Sequence, residues 1–445
     1  MHAMDLLYAR AQMGMSLAFH IIFAAAGIAL PLLMVLSDLK ARRTGDADYV
    51  TLSRKLAKGT AILFAVGAVS GTVLSFELGL LWPEFMGTYG EVIGLPFSLE
   101  GTAFFTEAVF LGIYLYGRDR IPSGLHLFSG VMVALSGAAS AFFVTLVNVF
   151  MNHPSGFTPT PGGPVNVDPV AAMFSPGWQY QVVHTLLACY QSSAFAMAGI
   201  HALVLLRHPG ATFHRKALSI ALPMACITAL LQPLAGHQSA EHIAREQPAK
   251  LAAAEGLFET QRGAPLTVGG LPDEESRTTR YGLEIPKGLS VLAFTDPNAE
   301  VKGLDQFPRD EWPPVLKVHL AFDLMVGAGG AMALLAVVTL FLRWRHKAWP
   351  EGRRVLWGWL LCGPLGVVAM EAGWLVTEWG RQPWIIRGVM RTADAVTPVP
   401  NLAVPFWTFT LVYLFLGAMV VFLLVRQVAG TLPGHDEPRE VSHAH

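Results

Sequence analysis

Nine long apolar runs constrain this chain more than any other feature. They lie at approximately 13–36, 57–82, 97–117, 124–150, 178–206, 216–235, 315–342, 355–377 and 403–426. Each reaches the roughly 20 residues that a helix needs to cross a bilayer core of about 30 Å. Backbone N–H and C=O groups meet no water there, so a crossing segment must pair them internally, as a helix or within a closed barrel. Barrel strands alternate apolar and polar residues. These runs are continuous, so helices are expected. Composition agrees: 14% of residues are charged and 53% hydrophobic, against about 25% charged in an ordinary soluble domain. The chain is too apolar to be disordered. A net charge of −1 offers no basic excess for nucleic acid. The expected fold class is an all-α integral membrane protein with nine transmembrane helices.

Lys and Arg in short loops set orientation. The first loop carries Lys40, Arg42, Arg43, Arg54, Lys55 and Lys58, the third Arg118 and Arg120, and the fifth Arg207, Arg215 and Lys216. The seventh carries Arg343, Arg345, Lys347, Arg353 and Arg354. The second loop (82–96) and the fourth (151–177) carry none. The N-terminus is therefore expected outside and the C-terminus in the cytoplasm. Arg381, Arg387 and Arg391 in the eighth loop sit on the unexpected side, which points to a task such as pairing with buried anions. The start, Met1 to Asp5, lacks a basic region, so no cleavable signal peptide is expected. Cys189, Cys226 and Cys362 lie in apolar runs without a C-x-x-C pair. Neither a disulfide framework nor covalent c-type haem attachment is expected.

The chain thus divides into six helices over 1–235, an outer polar loop over 236–314, three helices over 315–430 and a cytoplasmic tail over 431–445. His443 and His445 read as part of an ordinary solvated end. A loop as long as 236–314 between two helices is usually functional.

Ionisable groups inside membrane segments are costly and are functional candidates by default. His20, Glu100, Glu107, His184 and Glu378 stand out, with Met325 as a possible soft ligand. With the N-terminus outside, His20, Glu100, His184, Met325 and Glu378 all fall in one outer layer. Glu107 lies two turns deeper than Glu100 on roughly the same face. Such convergence points to a cofactor or ion site. Histidine and methionine together form a cytochrome-type axial pair. Helix–helix hydrogen bonding for the histidines, packing for Met325 and a metal-free proton path for the glutamates remain open on chemistry alone.

Four strings narrow these alternatives. EAGWLVTEWGRQPW (371–384), LPFSLEGTAFFTEAVFLG (95–112), ARAQMGMSLAFH (9–20) and QVVHT (181–185) resemble, in the same order, subunit I of cytochrome bd-type quinol oxidases. The resemblance covers nearly the whole chain. It implies that His184 and Met325 are axial ligands of low-spin haem b558. It implies that His20 and Glu378 serve two high-spin haems, b595 and d (or a third haem b in place of d). Glu100 would lie at that di-haem site as ligand or distal group, and the pairing among these residues stays open. Trp374 would sit between haems, and Arg381 would pair with propionates. Glu107 and Asn148 match polar positions associated with proton delivery. A helix hydrogen bond for Glu107 and a loop cap for Asn148 are the alternatives.

The outer loop would then bind quinol. PAKLAAAEGLFET (248–260) resembles its core, and Lys250 and Glu255 match residues implicated in quinol oxidation. A carboxylate can accept a quinol proton and an ammonium can hold the oxygen as charge develops. Five residues apart is not one helical face, so a strict helix would not aim both at one ligand, and a solvated surface pair is the competing reading. The passage from Asp296-Pro297 to Trp312-Pro313-Pro314 lacks the insertion of long-loop members, so the loop is expected to be of the short type. Asp323 stands two residues before Met325 where long-loop members carry arginine. A negative charge there disfavours electron gain, so a lower b558 potential is expected than in those members.

The resemblance implies the haem-bearing subunit of a quinol:oxygen oxidoreductase in the bacterial cytoplasmic membrane. Quinol would be oxidised at the outer face and O2 reduced to water with cytoplasmic protons, generating a proton motive force without pumping. A second membrane subunit is implied, with a small single-helix accessory subunit as a further possibility. The alternatives are a haem b quinol-oxidising carrier with another acceptor and a proton-coupled transporter. The transporter would show inverted repeats and broken helices.

Overall fold

The computed structural model describes residues 3–432, so the tail beyond them, with His443 and His445, lies outside the described residues. The long helices are α1 (Ala3–Thr44), α2 (Ala47–Leu81), α3 (Pro83–Gly117) and α4 (Ser123–Asn152). After the short α5 (Pro169–Met173) come α6 (Trp178–Arg207) and α7 (Thr212–Glu246). The short α8 (Pro248–Ala254) and α9 (Gly288–Phe294) precede α10 (Val315–His346). Then follow α11 (Arg353–Cys362), α12 (Leu365–Trp379), the short α13 (Thr392–Ala395) and α14 (Ala403–Ala429).

Every expected span falls on a helix. Eight stretches among the described residues are long and apolar enough to cross a membrane, with Arg353–Trp379 taken as one. The third expected span lies within α3, which is 35 residues long but carries Glu84, Glu91, Glu100 and Glu107. The stretch Arg353–Trp379 is interrupted between Cys362 and Leu365, at Gly363-Pro364. Proline removes a ladder donor and clashes with the carbonyl four residues back. The helices also overrun the apolar runs. α7 continues to Glu246, about three turns past the expected end at 235, so the outer segment begins later than its polarity implied.

The bundle has two chemically distinct ends. At one end, Lys216 pairs with Asp46 at 2.5 Å and Asp48 at 2.6 Å, tying the fifth loop to the first. Arg215 reaches Glu351 of the seventh loop at 2.7 Å, and Arg54 lies 3.8 Å from Asp119 of the third. The basic loops are therefore one physical cluster. At the other end, Arg391 pairs with Asp310 at 2.7 Å, and the Arg387 backbone N–H donates to Met151 O. Large apolar side chains on α14, such as Leu411, Leu414 and Phe415, point outward, as lipid or another apolar surface requires.

The segment between α7 and α10 is folded rather than merely solvated. Three antiparallel strand pairs nest inside one another: Gln261–Arg262 with Glu300–Val301, Leu266–Val268 with Leu283–Ile285, and Leu271–Asp273 with Thr278–Arg280. Its apolar residues Leu251, Phe258, Leu289 and Leu304 form one core with Val315 and Val318 of α10 and Val376 of α12. This core fixes the segment over the bundle end that bears the site.

α6 and α12 approach closely enough that a Cβ on Gly366 would lie 2.5 Å from Ser192 Cα, a backbone atom. Gly366→Ala should therefore destabilise the fold by about 1–3 kcal/mol, the usual cost of overpacking, seen as a lowered melting temperature in detergent.

Candidate functional site

The site grows outward from Glu378, in the last turn of α12. Its Oε1 accepts from Asn148 Nδ2 of α4 at 2.6 Å. Its Oε2 accepts from Arg381 Nη2 at 2.5 Å. Asn148 Oδ1 in turn accepts from Gln181 of α6 at 2.6 Å and from Asn152 Nδ2 at 3.0 Å. Lys250 of α8 donates to Asn152 Oδ1. One continuous network thus joins α4, α6, α8, α12 and the turn after α12. Asn148 acts as a helix residue bonded across the bundle, and the expected loop-cap alternative does not hold.

Arg381 is 4% exposed, and its Nε and Nη1 have no partner. A buried guanidinium with unused donors is costly unless an anion meets them. The propionates of a bound haem would supply such oxygens, so the donor set fits that group.

The other expected ligands flank this network. His184 on α6 packs against α7, where Gln232 Nε2 lies 3.2–3.3 Å from its ring nitrogens and Gly236 leaves its ring room. Met325 on α10 lies against α12, where a Cβ on Gly373 would be 2.8 Å from its Sδ. Gly373 precedes Trp374, which is partly buried. His20 on α1 places Nδ1 3.0 Å from Ser70 Oγ of α2. Glu100 on α3 accepts from Ser140 of α4 at 2.9 Å. Glu107, two turns further along α3, is 5% exposed with Oε1 unpartnered. Its Oε2 would lie 3.3 Å from a Cβ at Gly137 of α4. α4 thus faces Glu107, Glu100 and Glu378 in succession, with Gly137, Ser140 and Asn148.

Lys250 and Glu255 are 5% and 2% exposed, so they are not a solvated surface pair. They also diverge, as their spacing implied. The Lys250 stem packs on Gly380 and its head enters the Asn152 network. Burial, with Arg381 adding to it, pushes the Lys250 ammonium well below the usual lysine range. Glu255, just after α8, turns toward Asp323 of α10. Burial first, then the Asp323 charge, pushes its carboxyl up to about 8. A cleft of about 490 Å³ opens nearby between Trp312, Lys317, Trp379 and Gln382; neither Lys250 nor Glu255 lines it.

Sequence reasoning passed over Ser70, Ser140, Asn152, Gln181, Gln232 and His319. Gln181 stands inside the QVVHT string and Asn152 one turn after Asn148, so both carried a positional signal. Ser140 and Gln232 carried none, since their role depends on which helix faces theirs.

A family model of cytochrome bd terminal oxidase subunit I matches residues 8–431. A putative cytochrome bd menaquinol oxidase subunit I of Bacillus subtilis is 39% identical, over 95% of this chain and 96% of that protein. The cytochrome bd ubiquinol oxidase subunit 1 of the same organism is 31% identical, over 95% and 93%. The solved bd oxidase from Geobacillus thermodenitrificans superposes with a TM-score of 0.89 at 40% identity, covering 96% of this chain and 98% of that one. This chain belongs to the cytochrome bd terminal oxidase subunit I family. It is a quinol oxidase subunit of the bacterial cytoplasmic membrane, crosses it several times, carries haem and works with a subunit II. Membership decides against the transporter alternative despite the interrupted helix.

Removing one partner of a buried ion pair typically costs about 3–5 kcal/mol. Arg381→Leu should therefore lower the melting temperature of the detergent-solubilised complex. Arg381→Lys keeps the charge but loses the donor fan, and should show as reduced haem per mole of protein.

Proposed function

We propose that this chain oxidises membrane quinol at its outer loop and reduces O2 to water with protons drawn from the cytoplasm. The observation that carries the reading is the orphaned, buried Arg381 beside Glu378, within a network that reaches from the loop lysine to three helices. When bound, the haems supply iron centres that carry electrons and hold oxygen. His184 and Met325 would hold the low-spin haem b558. His20, Glu378 and Glu100 would hold the high-spin pair, b595 and d or a third haem b. Arg381 would meet propionates with its unpartnered Nε and Nη1, and Trp374 would lie between the haems.

With nine spans and the basic loop cluster in the cytoplasm, the folded loop and the Glu378 layer would lie outside. The positive-inside bias supports this orientation. Quinol at the loop loses its protons outward, with Glu255 as acceptor on one side and Lys250, on the side of the Asn152 network, donating a hydrogen bond to the quinol's other oxygen. Both are buried, so they act on a quinol headgroup admitted beneath the loop. Glu107 and Glu100, lined along the α3–α4 seam, pass protons from the cytoplasmic side toward the oxygen site, and Asn148 orients Glu378 at its end. Release outside and uptake inside separate charge without pumping. An accessory single-helix subunit would meet the apolar outer faces.

His184→Ala or Met325→Ala should abolish the low-spin haem signal in a reduced-minus-oxidised spectrum of the purified complex while leaving high-spin haem present. A wild-type complex without haem would overturn the reading. A chlorin band would identify haem d at the oxygen site.

Glu255 must be ionised to accept a proton, and its carboxyl titrates at about 8. Quinol-driven oxygen consumption should therefore rise as pH increases toward that value. Glu255→Gln should remove this rise and lower the rate by about 100-fold, within the usual range for a lost general base.

A further inference from the structure

His319 lies in the second turn of α10 and is fully buried. Its Nδ1 is 2.8 Å from Ala254 O, the carbonyl just before Glu255. Its Nε2 is 3.2 Å from Gly269 O and 3.3 Å from Asp323 Oδ2. Each ring nitrogen faces a backbone carbonyl, which can only accept. A neutral imidazole has one N–H and one lone pair. In that form one nitrogen would face only oxygen lone pairs inside a buried site, where an unmet polar contact is costly. Two N–H donors meet both carbonyls, and the resulting cation has its counter-charge in Asp323, 3.3 Å away and one turn along the same helix.

The three oxygens come from different places. Ala254 ends α8, Gly269 lies in the turn between two nested strands, and Asp323 is two residues from Met325. Gly256 adds a second tie. Its φ of +63° belongs to the left-handed region, and a Cβ there would lie 2.5 Å from Thr279 Oγ1, whose hydroxyl donates to Gly256 O at 2.9 Å. Glu255 is thus held between the His319 and Thr279 bonds.

We propose that His319 is a cationic clamp: it donates from both nitrogens to hold the quinol loop on α10, and its charge cancels that of Asp323 beside the low-spin haem. The proposal rests on the reading of Met325 as a ligand of that haem. His319 is a positioning residue, acting on quinol through Glu255 and on the haem through charge. Asp323 and His319 together form a nearly neutral pair, so the acid by itself does not set the haem's potential.

Redox titration of the low-spin haem in the intact complex tests this. His319→Gln leaves Asp323 unbalanced and should lower the midpoint potential. Asp323→Asn leaves the cation unbalanced and should raise it. The double variant should return close to wild type. A merely structural role would not produce opposite shifts that cancel. Shifts of the same sign, or no shift in either single variant, would overturn the proposal while a normal low-spin spectrum leaves the haem assignment standing. Limited proteolysis adds a readout independent of haem: His319→Gln should cleave several-fold faster within 256–285, and an unchanged rate would overturn the clamp.

Discussion

The Glu378–Arg381 pair is the interaction around which the site is organised. Neither charge can remain in a water-poor interior without partners. Arg381 therefore sits where Glu378 can meet it, and Glu378 where Asn148 can reach its second oxygen. Asn148 uses its own oxygen on Gln181 and Asn152, and Asn152 accepts from Lys250. One requirement for partners thus aligns three long helices and the first turn of the outer loop. The unused nitrogens of Arg381 keep an anion-shaped demand at its centre.

The outer segment joins this arrangement by ordinary packing. Its composition is polar, yet its few large apolar residues share a core with the ends of α10 and α12. That shared core buries Lys250 and Glu255 and sends them in different directions, one to the Glu378 network and one to α10. The proposed quinol loop is therefore mechanically joined to the bundle. α10 contributes to both, through His319 to the loop and through Met325, which lies against Gly373 of α12, to the bundle.

Much of the fold was legible because lipid imposes a simple rule. Long apolar runs must be helices, and the charges left within them stood out because they were few. Spacing and loop charge alone were enough to group His20, Glu100, His184, Met325 and Glu378 as candidates for one layer. What the pattern missed followed from the same rule. Helix ends outran the apolar runs, as α7 does by about three turns, because hydrophobicity marks lipid contact and not hydrogen bonding. Ser140, Gln232 and His319 look ordinary in sequence, since their meaning comes from the side chain or carbonyl opposite.

By itself, then, the sequence determined the class, the helical nature of the apolar runs, the candidate ionisable groups within them and the family. Each of these depends on local composition, periodicity or motif order. The tertiary structure decided which groups meet: Asn148 with Glu378, Lys250 with Asn152, and His319 with two loop carbonyls and Asp323. It also showed Lys250 and Glu255 to be buried, contrary to the usual fate of such residues. The physical reason is that partner choice across a bundle depends on helix rotation and crossing. Those are set by packing between segments far apart in the chain.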